Sequence, residues 1–181
     1  MMKFKKFIIC IALLIVFAFG FKLVVTNYLF PFKHKEAILK YSKEYNLDPY
    51  LVLSVIKAES KFNPDAHSSK DAMGLMQITG DTADWIANEM GLTDYSVDKL
   101  YEEEYNINMG CWYLSNLREE FKAEELYVAA YNAGRGRVNE WLKDSKYSED
   151  GKTLSYIPYA ETKKYVDRVG SYHEIYKYIY E

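Results

Sequence analysis

Glu59 is the residue whose position most suggests chemistry. The segment Asp48–Ser60 is expected to form a helix, with Asp48 as its N-cap and Pro49 at its first position. Val52, Val55 and Ile56 share one apolar face, and Glu59 is the next member of that i, i+3, i+4, i+7 series. The stripe carries a carboxyl group toward the interior, where burial disfavours the charged form and raises the pKa. A glutamate that is protonated near neutral pH can act as a general acid. The end of a helix also suits a solvated glutamate, and the helix alone does not choose between the two readings.

Other polar residues follow in an ordered set. Glu59-Ser60-Lys61-Phe62-Asn63-Pro64 leads to Ala66-His67-Ser68, then to Ala72-Met73-Gly74-Leu75-Met76-Gln77-Ile78 and Thr82-Ala83. Further on come Ala129-Ala130-Tyr131-Asn132-Ala133-Gly134-Arg135-Gly136 and Ile157-Pro158-Tyr159-Ala160-Glu161-Thr162. This set resembles the catalytic domain of the soluble-lytic-transglycosylase family, which shares its fold with goose-type lysozymes. The likeness runs from about Lys33 to Ile179. It implies a mainly helical, lysozyme-like domain acting on peptidoglycan glycan strands.

Glycosidases commonly use two carboxyl groups, and the sequence offers one convincing acid. The resemblance accounts for this. In the family, a glutamate matching Glu59 protonates the oxygen between N-acetylmuramic acid and N-acetylglucosamine. The muramic acid C6 hydroxyl then attacks C1, the glutamate takes up the proton, and a 1,6-anhydro end forms without water. By the same resemblance, Ser68 donates toward the substrate acetamido group. Gly74 lets backbone approach closely, and Gln77 holds substrate or orders the cleft. Tyr131 is expected to donate to Glu59. Asn132 binds substrate or ends its helix, and Glu161 binds substrate, orders the cleft or simply suits a helix N-terminus. Two positions depart from the family pattern: Asp71 replaces a glycine, and Thr79-Gly80 replaces Met-Pro. Asp71 opens an alternative, a muramidase in which it serves as base, although a solvated loop aspartate is the commoner case. A wall-binding protein without chemistry is a third reading.

The elements that must hold these residues read as all-α. Helices are expected over Lys35–Tyr45, Asp48–Ser60, Thr82–Met90, Tyr105–Phe121, Glu124–Asn132, Arg135–Lys143 and Pro158–Glu181. On the last, Tyr165, Val169, Tyr172, Tyr176 and Ile179 form a stripe read as core packing. Gly74–Ile78 fits a short strand, a tight turn or irregular backbone along the cleft. Residues 1–32 are expected to be a signal peptide or membrane anchor plus a short linker, and residues 33–181 the lysozyme-like domain. Lys3, Lys5 and Lys6 precede an uncharged run from Phe7 to Phe21, and Leu23–Val25 extends it past Lys22. An uncleaved anchor would hold the chain in the cell membrane as a single pass with the domain outside; a cleaved leader would release it.

The 181 residues, 49% hydrophobic, suffice for one packed domain. The net charge of −3 argues against nucleic acid. The 18 tyrosines suit sugar stacking, and equally suit general amphipathic filling. Cys10 and Cys111 are not placed to bridge, and Cys111 reads as a small buried hydrophobe. His34, His67 and His173 have no metal spacing. No metal or cofactor is expected, and the chain is expected to act as a monomer.

Overall fold

The computed structural model describes residues 2–181, and these divide into two compact units, the first ending at Lys33 and the second covering His34–Glu181. The first holds α1 (Met2–Val24), which continues into a π-helical turn, Val25–Leu29. The stretch Phe7–Leu29 contains an 18-residue window with a mean hydropathy of 2.9, none of it buried against protein. Of the basic run expected before them, the side chains of Lys3 and Lys6 lie outside the described residues.

The second unit is helical, as its periodicity predicts. In order it contains α2 (Lys35–Glu44), α3 (Pro49–Glu59), β1 (Ala72–Met73), β2 (Ile78–Thr79), α4 (Gly80–Met90), α5 (Glu103–Phe121), α6 (Glu124–Ala133), α7 (Arg135–Lys143) and α8 (Ala160–Tyr180). Every helix boundary lies within two residues of its expectation. Asp48 caps α3 by accepting from Tyr50 N at 2.8 Å. Lys61 and Phe62 then take up positive φ and turn the chain sharply away. Gly91 closes α4 in the left-handed conformation.

The core forms between helices. α3 buries every residue from Leu51 to Ile56 and packs along α8, which contributes Tyr165, Val169 and Tyr176. α5 buries Ile107, Met109, Cys111, Leu114, Leu117 and Phe121 against α2 and α6. The Cys111 thiol is fully buried, which raises its pKa.

Of the segment left open in the sequence, Gly74 to Gln77 form the turn of a two-stranded antiparallel hairpin and Ile78 enters its second strand, with Ala72 opposite Thr79 and Met73 opposite Ile78. Its loop rests on α5. The amide of Asn106, fully buried, accepts from Met76 N at 2.7 Å and donates to Met73 O at 3.0 Å and Leu100 O at 2.8 Å. Gly110 admits the Met76 side chain, whose sulfur would lie 2.3 Å from an added Cβ.

Candidate active site

α3 delivers Glu59 to a cavity of about 340 Å³ that is also lined by Ser68, Ser69, Lys70, Ala72, Gln77, Thr79, Tyr131, Asn132 and Glu161. Six of the seven residues expected to form the site therefore meet in one place. They come from α3, the loop before β1, the hairpin, the end of α6 and the start of α8.

Glu59 is half-buried, and loss of water pushes its pKa from 4.5 up to about 7. A hydrogen bond from Tyr165 and the charge of Arg168 oppose that rise without cancelling it. Tyr165 Oη donates to Glu59 Oε1 at 2.6 Å, and burial keeps the phenol protonated. With Oε1 occupied as an acceptor, Oε2 is the oxygen better placed to carry the acidic proton.

Tyr165 corrects the expectation for Tyr131. The Tyr131 hydroxyl donates to Met76 O at 2.8 Å, tying α6 to the hairpin while the ring lines the cavity. The phenol on Glu59 comes instead from the α8 stripe that periodicity assigned to core packing. Tyr165 is 5% exposed and does both jobs. The signal was available only by pairing elements, because its stripe packs against the helix that ends in Glu59.

Gly74 also has a different neighbour from the one expected. It does not line the cavity. At φ +76°, an added Cβ would stand 2.1 Å from Leu100 O and 2.3 Å from Asn106 Nδ2. The close approach that needs glycine is internal.

Gln77 orders the cleft. Its Nε2 donates to Ala66 O and Gly74 O, each at 3.0 Å, which leaves Oε1 as the acceptor for a ligand. These bonds hold Gln77 at φ +50°. Ser68 Oγ accepts from Ala72 N at 3.1 Å and Lys70 N at 3.2 Å, so its proton remains available to donate. Glu161 lies at the rim, largely exposed, with Lys70 Nζ 3.7 Å away. Asp71 is not among the lining residues. Its carboxylate is 88% exposed and 3.2 Å from His67 Nε2, which does not suit a base acting inside the cavity.

The hollow continues. Gln77, Thr79, Tyr131 and Asn132 also line a neighbouring hollow with Thr82, Tyr113 and Gly134. Thr82 and Tyr113 in turn border a third, walled by Trp85 and Arg135. The Arg135 guanidinium lies 4.9 Å from the Trp85 ring centroid. Sharing walls, the three hollows form one trough with aromatic faces.

Comparison with known proteins agrees with this architecture. The family described as "Transglycosylase SLT domain" matches residues 36–154. The soluble lytic murein transglycosylase of Salmonella typhimurium is 33% identical over 152 residues, covering 82% of this chain and 24% of that protein. Membrane-bound lytic murein transglycosylase C of Actinobacillus pleuropneumoniae is 33% identical over 120 residues, covering 61% of this chain and 33% of its own length. An inactive mutant of the Pseudomonas aeruginosa lytic transglycosylase Slt superposes with a TM-score of 0.74 at 33% identity, over 86% of this chain and 25% of that one. The chain thus spans about a quarter of the length of the soluble relatives. The sequence match and the shared fold together make this chain a member of the transglycosylase SLT domain family.

Proposed function

We propose that this chain is a peptidoglycan lytic transglycosylase that cleaves the N-acetylmuramic acid to N-acetylglucosamine β-1,4 bond and leaves 1,6-anhydro ends. The observation that carries the reading is a half-buried carboxyl group with a pKa of about 7, lining a trough fit for a sugar chain. Near neutral pH Glu59 holds a proton to give to the glycosidic oxygen. Once that proton has left, the carboxylate can take one from the C6 hydroxyl as it attacks C1. The proton is returned, no water is consumed, and no second protein carboxylate is required. The other carboxylate lining the cavity, Glu161, is exposed and beside Lys70, which suits binding better than acid–base work. Ser68, Gln77 and Asn132 would bind the saccharide, Tyr165 would orient Glu59, and Tyr131 would fix the hairpin wall. Relatives include proteins named as membrane-bound, and the apolar α1 suits an anchor with the domain outside the cell membrane. We expect a monomer.

The test is digestion of purified peptidoglycan by the full chain in detergent, with mass measurement of the products. Muropeptides lighter by one water than reducing-end products support the lyase. Reducing ends would replace it with a hydrolase, and Asp71→Asn would then be examined. Binding without any cleavage would leave a wall-binding protein. Glu59→Gln is expected to abolish cleavage with the fold retained.

A further inference from the structure

His173 lies on α8, outside the cavity, and no step above uses it. Its side chain is 9% exposed, yet both ring nitrogens have partners. Nε2 lies 2.8 Å from Asp48 Oδ2, and Nδ1 lies 3.2 Å from Glu124 Oε1. Carboxylates accept and do not donate, and a neutral imidazole has a single N–H. Only the imidazolium can donate to both.

The two carboxylates come from two other helices. Asp48 caps the start of α3, and its second oxygen accepts from Tyr50 N. Glu124 opens α6. The same three helices supply the cavity at their other ends: α3 finishes at Glu59, α6 finishes beside Tyr131 and Asn132, and α8 begins with Glu161. α3 and α8 run antiparallel, with Asp48 on His173 at one end and Glu59 on Tyr165 at the other. Along the 11 residues of α3 these contacts are separated by about 16 Å. A slip of α8 along α3 would lengthen and misalign the Tyr165 bond, which weakens as its angle closes.

We infer that His173, as an imidazolium, is a positioning residue: it clamps the starts of α3 and α6 to the second half of α8 and so keeps Tyr165 in register with Glu59. The inference rests on reading Glu59 as the reacting acid. The groups facing the ring are Asp48 from α3 and Glu124 from α6. Behind Glu124, Tyr127 Oη donates to Oε2 at 3.4 Å, and Arg118 of α5 bears electrostatically on Tyr127. Burial alone would lower the pKa of His173, but the bonds to Glu124 and Asp48 outweigh it and raise the value above 6.5. Stability from the clamp is therefore complete below the unfolded value and is lost as pH rises through the higher folded one.

Glu124→Gln separates this role from simple packing. Its amide can donate to Nδ1 while Nε2–H donates to Asp48, and its oxygen still accepts from Tyr127, so a neutral ring keeps the clamp. In the native chain, activity at high pH is expected to fall with the loss of two protons, one from Glu59 and one from His173. In Glu124→Gln the fall is expected to involve one. His173→Phe should lower kcat about tenfold with KM unchanged, because orientation rather than binding is lost. A readout without substrate uses full-length protein in detergent with carbon-13 at tyrosine Cζ. The Tyr165 signal, assigned with Tyr165→Phe, should inflect with both titrations in the native chain and with Glu59 alone in Glu124→Gln. A Tyr165 signal blind to His173, or a two-proton fall persisting in Glu124→Gln, overturns the clamp. Because the resonance needs no turnover, absence of enzymatic activity would refute the proposed function and leave the clamp to be judged by the spectrum.

Discussion

Tyr165 and Glu59 share a single 2.6 Å bond, and it acts in two directions. The bond stabilises the carboxylate and so lowers a pKa that burial has raised. It also favours Oε2 as the oxygen that bears the proton. Tyr165→Phe should therefore move the alkaline fall in activity to higher pH and lower kcat at least tenfold. A pH–rate profile checks both effects, and an unmoved limb would remove Tyr165 from the site. Ionisation of Glu59 opposes folding, because its folded pKa lies above 4.5. Relative to a permanently charged group, its contribution is present below pH 4.5 and is lost as pH rises to about 7. Glu59→Gln keeps an acceptor for Tyr165 and has no charge to bury. Its melting temperature should match the native chain's near pH 4, then gain on it up to about pH 7 and level off. The limit is about 3 kcal/mol, or several degrees. A constant offset across that range would mean that Glu59 is solvated.

The hairpin β1–β2 shapes the cavity, and α5 shapes the hairpin. Asn106→Ala would strand Met76 N, Met73 O and Leu100 O, and should cost about 3 kcal/mol or more. Gly74→Ala meets backbone at Leu100 O from a left-handed φ, a clash that repacking cannot relieve. Both variants should lower the denaturation midpoint, and a cavity formed independently of α5 would leave it unchanged. This element was the least legible part of the sequence. The helices follow from apolar periodicity and caps, which are local signals. Residues 61–77 do not, because Lys61, Phe62, Asp71 and Gln77 all take positive φ there, Gln77 is held by bonds back to Ala66 and Gly74, and Met73 and Met76 are held by the distant Asn106. Glu59 was legible because its helix stripe pointed inward. Tyr165 was legible as a buried residue and not as its partner, since only the packing of α8 on α3 joins two residues 106 positions apart.

For the molecule as a whole, the remaining question is where the two units reside. Phe7–Leu29 contributes 23 helical residues, about 35 Å at the α-helical rise, which is long enough to cross a hydrocarbon core of about 30 Å. Lys22 falls within this stretch, seven residues before its end, and its long stem carries the amine toward the headgroups. Lys5, beside Lys3 and Lys6, favours a cytoplasmic N-terminus, so the helical domain would face the wall it is proposed to cut. The charged side chains of the first unit are all lysines, so the domain is more acidic than the whole chain's net charge of −3 and carries no strong basic field; a hold on the membrane should therefore depend on α1 and not on surface attraction. The full chain should therefore stay with membranes through washes in molar salt and alkaline carbonate, and yield only to detergent. Protease added outside intact spheroplasts should degrade the domain and leave a short protected fragment containing α1. Release by carbonate would mean that the leader has been cleaved or lies on the surface, and full protection from protease would reverse the topology.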